Sequence, residues 1–137
     1  MLPRPLLTIA VSLLVCMPSM SAFAIDSFKI DAQCQTEDTD MVGISARSKI
    51  CTDTECYKAP AGYVISKDKV RVSDKGSKGG ASSSCKDSYD DDAEVIPGLS
   101  QPTKVCIKAT AESEGGTCIG CTATGNCVAE GQIVKIP

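Results

Sequence analysis

The chain has 137 residues, of which nine are cysteine and none is histidine or tryptophan, and its formal net charge is −3. The length suits one domain, and the missing histidine excludes Ser-His or Cys-His dyads, histidine-ligated metals and a charge switch in the physiological pH range. The acidic balance offers no basic surface to nucleic acid or anionic lipid, so we expect neither as a partner.

Residues 1–24 have the features of a secretory signal peptide. Arg4 precedes an apolar run from Leu6 to Met17, and Ala22-Phe23-Ala24 places small residues at the positions that signal peptidase reads. The run is shorter than the roughly 20 apolar residues that cross a bilayer. We therefore predict export with cleavage after Ala24, without a membrane span, to the extracellular space or, in a bacterium, to the periplasm.

Cleavage would remove one cysteine, and the even number that remains in a small exported chain predicts a disulfide framework. The sequence leaves the pairing open. The C-x-x-C motif at Cys118–Cys121 starts no helical pattern, so we expect a structural bridge there and not a redox pair or a zinc site. The eight cysteines are Cys34, Cys51, Cys56, Cys85, Cys106, Cys118, Cys121 and Cys127.

The mature part favours β-structure, because it contains ten Ile and eight Val but one Leu. Apolar and polar residues alternate from Phe28 to Gln35, which predicts a half-buried strand. The stretch Met41–Lys58 is ambiguous between a short strand at Val42–Ala46 and one helical turn. Two strands, Tyr63–Ser66 and Lys69–Ser73, are predicted to form a hairpin around Lys67-Asp68.

The segment Asp74–Asp92 is rich in Gly, Ser and charge, and we interpret it as a long mobile loop that Cys85 pins. Lys104–Glu112 alternates cleanly and predicts a strand with Val105 and Ile107 on its apolar face. Two further strands, at 117–123 and 128–136, are predicted to pair around a turn at 124–126.

Together these elements predict an all-β fold, a small disulfide-rich sandwich or open barrel, formed by residues 25–137 as a single domain. The alternative is a small α+β fold with one short helix within 41–58. The core is thin for this length, so the disulfides are expected to supply a large share of the stability.

The charged part of the expected loop is the candidate binding site. Its carboxylates are ligands that calcium prefers, but they lack the spacing of an EF-hand, so we favour a solvated acidic loop and predict no metal or cofactor. A glycosidase pair of carboxylates would need an aromatic-lined cleft that this composition does not suggest. The candidate binding residues are Lys86, Asp87, Tyr89, Asp90, Asp91 and Asp92.

Export, disulfides and the lack of a catalytic set favour a binding protein over an enzyme. The first hypothesis is an effector-like or toxin-like monomer that binds a macromolecule, a protein in the first instance, of a host or competitor outside the producing cell. The second is an inhibitor of extracellular hydrolases that presents residues 74–92. The third is a structural component of the cell envelope or extracellular matrix.

Overall fold

A computed structural model of the protein describes residues 26–37, 41–42, 45–77, 81–115 and 120–137. The described residues form β-strands and one three-residue 3-10 turn, Lys67–Lys69, and contain no α-helix. The predicted signal peptide and Cys118 lie outside them. The strands are β1 Asp26–Gln35, β2 Met41–Val42, β3 Ser45–Ala46, β4 Ile50–Lys58, β5 Tyr63–Ile65, β6 Arg71–Asp74, β7 Ser82–Ile96, β8 Leu99–Glu112 and β9 Thr124–Lys135.

This architecture confirms the predicted all-β, disulfide-rich fold. In the first sheet β9 is central, with β1 along one edge and β5 and β6 in succession along the other. In the second sheet β8 lies between β4 and β7, and β2 pairs with β3 in a separate ribbon. All these pairings are antiparallel. The helix considered for 41–58 is wrong, because the described part of that stretch contains β2, β3 and β4 and no helix.

The inner faces of the two larger sheets pack together as a sandwich. On β8 the alternation read from the sequence holds, since Val105, Ile107, Ala109 and Ala111 are all buried. Their partners come from the other sheet, and burial of these apolar side chains drives the packing. The facing residues on β1 and β9 include Phe28, Ala32, Ala129 and Ile133.

An aromatic stack joins the two sheets. The ring of Phe28 on β1 is parallel to that of Tyr57 on β4, with 4.4 Å between the ring centroids. Phe28 lies opposite Gly131 in the β1–β9 register. A Cβ atom at position 131 would lie 2.6 Å from the Phe28 ring, so only glycine leaves room for the aromatic side chain.

Two disulfides connect the two larger sheets, and a third links two strands of one sheet. Cys34–Cys51 joins β1 to β4, and Cys85–Cys127 joins β7 to β9. Cys56–Cys106 links directly opposed residues of β4 and β8. Cys121 is also disulfide-bonded, so every cysteine among the described residues is oxidised.

The predicted mobile loop at 74–92 is wrong for most of its length, because Ser82–Ile96 forms the 15-residue strand β7. Its Asp, Glu and Lys residues have low strand propensity, but β8 pairs with it from Ser82 to Asp90 and again from Asp92 to Ile96. Cys85 does act as a tether, since it ties this edge strand to the opposite sheet. Tertiary pairing therefore overrides the local preference.

Two predicted turns are also wrong. The segments around Lys67-Asp68 do not pair with each other; β5 and β6 both pair with β9, and the 3-10 turn carries the chain between them. The expected turn at 124–126 is the beginning of β9. A Cβ at position 125 would lie 2.9 Å from the Cys34 sulfur. Gly125 therefore allows a close approach between strands and does not mark a turn. In the ambiguous stretch, Met41–Val42 and Ser45–Ala46 pair as the β2–β3 ribbon.

Candidate interaction surface

The β7–β8 hairpin extends beyond the rest of its sheet and has two different halves. In the proximal half, residues 82–90 pair with 104–112, and β4 pairs with the other edge of this part of β8. In the distal half, residues 92–96 pair with 99–102, and no third strand of the described residues joins them. The distal half is therefore a two-stranded ribbon attached to a three-stranded sheet.

The backbone changes conformation where the halves meet. Asp91 has a φ of 59°, a left-handed conformation that Asp tolerates better than most residues. The Thr103 hydroxyl donates a hydrogen bond of 2.6 Å to the Asp91 carbonyl oxygen, which fixes this conformation. Pro102, which precedes Thr103 on β8 and lies opposite Asp92, has no N–H to donate to the β7–β8 hydrogen-bond ladder. The junction is thus held by specific contacts.

A cleft of about 530 Å³ lies at the base of the distal half, against the 3-10 turn. The Lys67 backbone N–H donates to the Gln101 side-chain oxygen at 3.3 Å. The Lys67 ammonium group lies 4.8 Å from the centroid of the Tyr89 ring, within range of a cation–π interaction. These contacts anchor the base of the ribbon to the sandwich. The cleft is lined by Lys67, Asp68, Tyr89, Asp92, Ser100, Gln101 and Pro102.

Two titratable groups near this cleft have shifted pKa values. Burial, with a hydrogen bond to Asp87 and the charge of that carboxylate, raises the pKa of Tyr89 to about 12. The phenol therefore stays neutral through the physiological range and keeps donating to Asp87. A hydrogen bond from the Ser66 hydroxyl lowers the pKa of Asp68, whose carboxylate accepts it at 2.8 Å.

The tip of the hairpin presents two aliphatic side chains to solvent. Ile96 is 52% exposed and Leu99 45%, and the two residues face each other across Pro97-Gly98. Gly98 has a φ of 85°, and Pro followed by such a glycine is typical of a type II turn. The Gly98 N–H also donates to the Glu94 carboxylate at 3.0 Å. The exposed apolar pair is therefore held on an ordered turn.

The distal half is acidic as well as apolar at its tip. Between residues 91 and 102 the chain has three carboxylates, Asp91, Asp92 and Glu94, and no Lys or Arg. Charged residues of one sign beside an exposed apolar pair favour a partner with an apolar pocket and a basic rim. The arrangement can support recognition of another molecule.

The six predicted binding residues do not form one loop. Lys86 and Asp90 point to the outer face of the sheet, whereas Asp87 and Tyr89 point to the face toward the β1–β9 sheet. Asp91 lies at the junction of the two halves, and Asp92 lines the cleft. The carboxylates thus diverge, and no group of three or more potential metal ligands comes together within the described residues.

Sequence reasoning missed the tip. Pro97-Gly98 between aliphatic residues is a turn signal, but the signal does not show whether the flanking side chains are exposed. The charge of the preceding acidic stretch predicts a binding loop at residues 86–92 and not at the apolar turn that follows it. The exposure of Ile96 and Leu99 depends on how far the hairpin extends past β4, and this is a tertiary property.

Comparison of the chain with protein-family models, with curated proteins and with solved structures finds no significant match. In the part of the chain that the structure describes, no helix is long and apolar enough to span a bilayer.

Proposed function

We propose that this chain is an exported binding protein, effector-like or toxin-like, that engages a protein of a host or competitor outside the producing cell. The tip of the β7–β8 hairpin is the contact site, with Ile96 and Leu99 as its anchors. The observation that carries the proposal is the exposure of these two side chains on an ordered turn, in a chain whose core has few large apolar residues.

The disulfides support the proposed setting. Disulfides persist in oxidising compartments and are rare in the cytosol, and every described cysteine is bonded. Two disulfides join the sheet that contains the hairpin to the opposite sheet, which keeps the proximal half rigid. A rigid mount lowers the ordering cost of binding at the tip.

The partner pocket should be apolar with a basic rim. Aliphatic anchors gain affinity when a pocket removes them from water, at about 25 cal/mol per Å² of buried apolar surface. The acidic groups of the distal half would lie at the edge of such a contact, where they guide association more than they add affinity. The inhibitor hypothesis relied on residues 74–92 as a loop, and the strand β7 removes that basis.

The test is capture of a partner by the exported, oxidised protein from extracts and surfaces of candidate host or competitor cells. The double variant I96S/L99S should lose the captured partner. The variant I50S is the matched control, because Ile50 is 65% exposed at the opposite end of the same sheet. Equal capture by I96S/L99S and by the unaltered protein would refute the role of the tip, and partners found only on the producing cell would refute the setting.

A further inference from the structure

Four lysines form a strip across the outer face of the β4–β8–β7 sheet. Lys58 on β4 lies directly opposite Lys104 on β8. Four residues along β8, Lys108 lies directly opposite Lys86 on β7. Lys104 and Lys108 alternate along β8 with buried residues, and Lys58 and Lys86 are their cross-strand partners. All four therefore lie on the face of the sheet that points away from the sandwich core. We call this set the lysine strip.

Directly opposed lysines are unfavourable in a sheet, because like charges at such positions repel each other. The Cys56–Cys106 pair has its Cα atoms 4.0 Å apart, which marks a narrow pair of the antiparallel ladder. Narrow pairs recur at every second position, so Lys58 and Lys104 occupy the next one and their side chains start close together.

Among the described residues, a directly opposed carboxylate offsets this repulsion at one of the four lysines, Lys104. None of the four lysines forms an ion pair there; the salt bridge is between Lys29 and Glu130 in the other sheet. Asp90 is opposite Lys104 in the register, and Glu112 lies at the far end of the face, beside Ile50. The same face also carries opposed Thr and Ser residues, which pair without repulsion, so the sheet itself does not require lysine.

The shape of the strip suits a linear anionic chain. Lys104 and Lys108 are about 13 Å apart along β8. Lys58 and Lys86 lie on the strands to either side of β8, and these two strands are about 10 Å apart across the sheet. The strip therefore runs diagonally, and the Cys56–Cys106 disulfide lies in its middle. Exposed hydroxyls at Thr54 and Ser88 lie beside it and can donate hydrogen bonds to anionic oxygens.

We propose that the lysine strip binds a sulfated linear polysaccharide outside the cell. Lysine is a compact point charge that suits sulfate groups without demanding a fixed bidentate geometry. The described outer face carries no aromatic side chain and no Arg beside the strip, the residues that nucleic-acid sites use for stacking and base contacts. It also lacks the large apolar residues that would enter a bilayer around the strip.

The net charge of −3 does not reveal this surface. Across residues 50–58, 82–90 and 104–112, the outer face carries the four lysines and two carboxylates, Asp90 and Glu112. The overall charge repels a polyanion, so non-specific attraction is weak and binding must come from the local strip. The strip also stands apart from the hairpin tip in charge and position. Its ligand can therefore be tested separately from the proposed protein partner.

The experiment measures binding of the oxidised, exported protein to heparin as the sulfated probe, over a series of salt concentrations. We expect affinity that falls steeply with salt, as for any contact made through several lysines. The double variants K58Q/K104Q and K86Q/K108Q should each lose about ten-fold or more in affinity. The matched control K29Q/K69Q removes the same charge elsewhere and should change affinity less than about two-fold.

Two further measurements separate binding from structural effects and from the tip. The melting temperature of K86Q/K108Q should equal or exceed that of the unaltered protein, because a repulsive pair is removed. The tip variant I96S/L99S should keep its heparin affinity. Failure of the unaltered protein to bind heparin at low salt, an equal loss in K29Q/K69Q, unchanged binding to desulfated heparin, or tighter binding to a single-stranded oligonucleotide or to anionic vesicles would overturn the proposal.

Discussion

The proximal and distal halves of the β7–β8 hairpin are continuous in the backbone but differ in what surrounds them. In the proximal half, β8 has a strand on each side and its inner residues Val105 and Ile107 are fully buried. In the distal half, two strands pair only with each other, and Ile96 and Leu99 are exposed at the turn. Aliphatic residues of one hairpin thus stabilise the core at one end and remain open to solvent at the other.

Under the proposed function, the proximal half supplies stability and the distal half supplies recognition. An isolated two-stranded ribbon is marginally stable in water, so the distal half depends on the contacts at its base. Those contacts are the Thr103–Asp91 hydrogen bond and the packing of Lys67 against Tyr89 and Gln101. Changes in the proximal half should therefore affect global unfolding, whereas changes at the tip should affect binding and the local stability of the distal half.

The largest expected effect comes from two identical substitutions in the two halves. Ile107→Ala removes a fully buried side chain and should lower the free energy of unfolding by about 2–5 kcal/mol. Ile96→Ala removes an exposed side chain and should change it by less than about 0.5 kcal/mol. Denaturant unfolding of both variants checks this, and comparable losses would show that the distal half is part of the cooperative core.

The disulfides offer the next comparison. Replacing both cysteines of Cys85–Cys127 or of Cys56–Cys106 with alanine should cost about 2–4 kcal/mol each, since the bridges close loops of similar length, 42 and 50 residues. Cys127 is fully buried between the sheets, whereas Cys56 is on the outer face, so loss of Cys85–Cys127 should cost about 1 kcal/mol more. Denaturant midpoints measure the difference, and the reverse order would contradict it.

These comparisons also show where sequence reasoning succeeded. The strands β1 and β8 alternate apolar and polar residues over most of their length, and burial follows that pattern. β7 escaped detection because its inward positions hold Ser83, Cys85, Asp87 and Tyr89, a set without aliphatic periodicity. Pairing with β8 imposes the strand conformation of β7. The local sequence of β7 does not show that β8 will pair with it.

The candidate site was predictable only in part. The sequence predicted a binding site at residues 86–92, and two of those residues, Tyr89 and Asp92, line the cleft at the base of the distal half. The exposed tip follows from the register of the whole hairpin, and the lysine strip follows from pairing between residues up to 46 positions apart, Lys58 and Lys104. Such juxtapositions leave no local pattern in the sequence.

A smaller effect is expected at the turn. Gly98→Ala places a side chain at a φ of 85° and should cost about 1 kcal/mol, confined to the distal half. Amide exchange should accelerate for residues 92–101 and stay unchanged in the proximal half, because local unfolding follows local contacts. Exchange that accelerates throughout the hairpin would show that the two halves unfold as one unit.

The last comparison concerns Tyr89 at the base of the distal half, whose ionisation has no effect on stability at neutral pH. The pKa of Tyr89 is about 12 in the folded protein against an ordinary value of 10.0. Below about pH 10 the phenol is neutral in both the folded and unfolded states, so it contributes no pH dependence. Between these values the unfolded state releases the proton first, so the free energy of unfolding should fall as pH rises and level off above about pH 12.

Two variants identify the source of that alkaline decline. Tyr89→Phe removes the ionising group and should flatten it, at the cost of the hydrogen bond to Asp87. Asp87→Asn keeps a hydrogen-bond acceptor but removes the charge, so the Tyr89 pKa should move back toward its ordinary value and the decline should become shallower. Ultraviolet titration of the phenolate, together with unfolding at alkaline pH, checks both. An unchanged decline in Tyr89→Phe would show that its origin is a titratable group other than Tyr89.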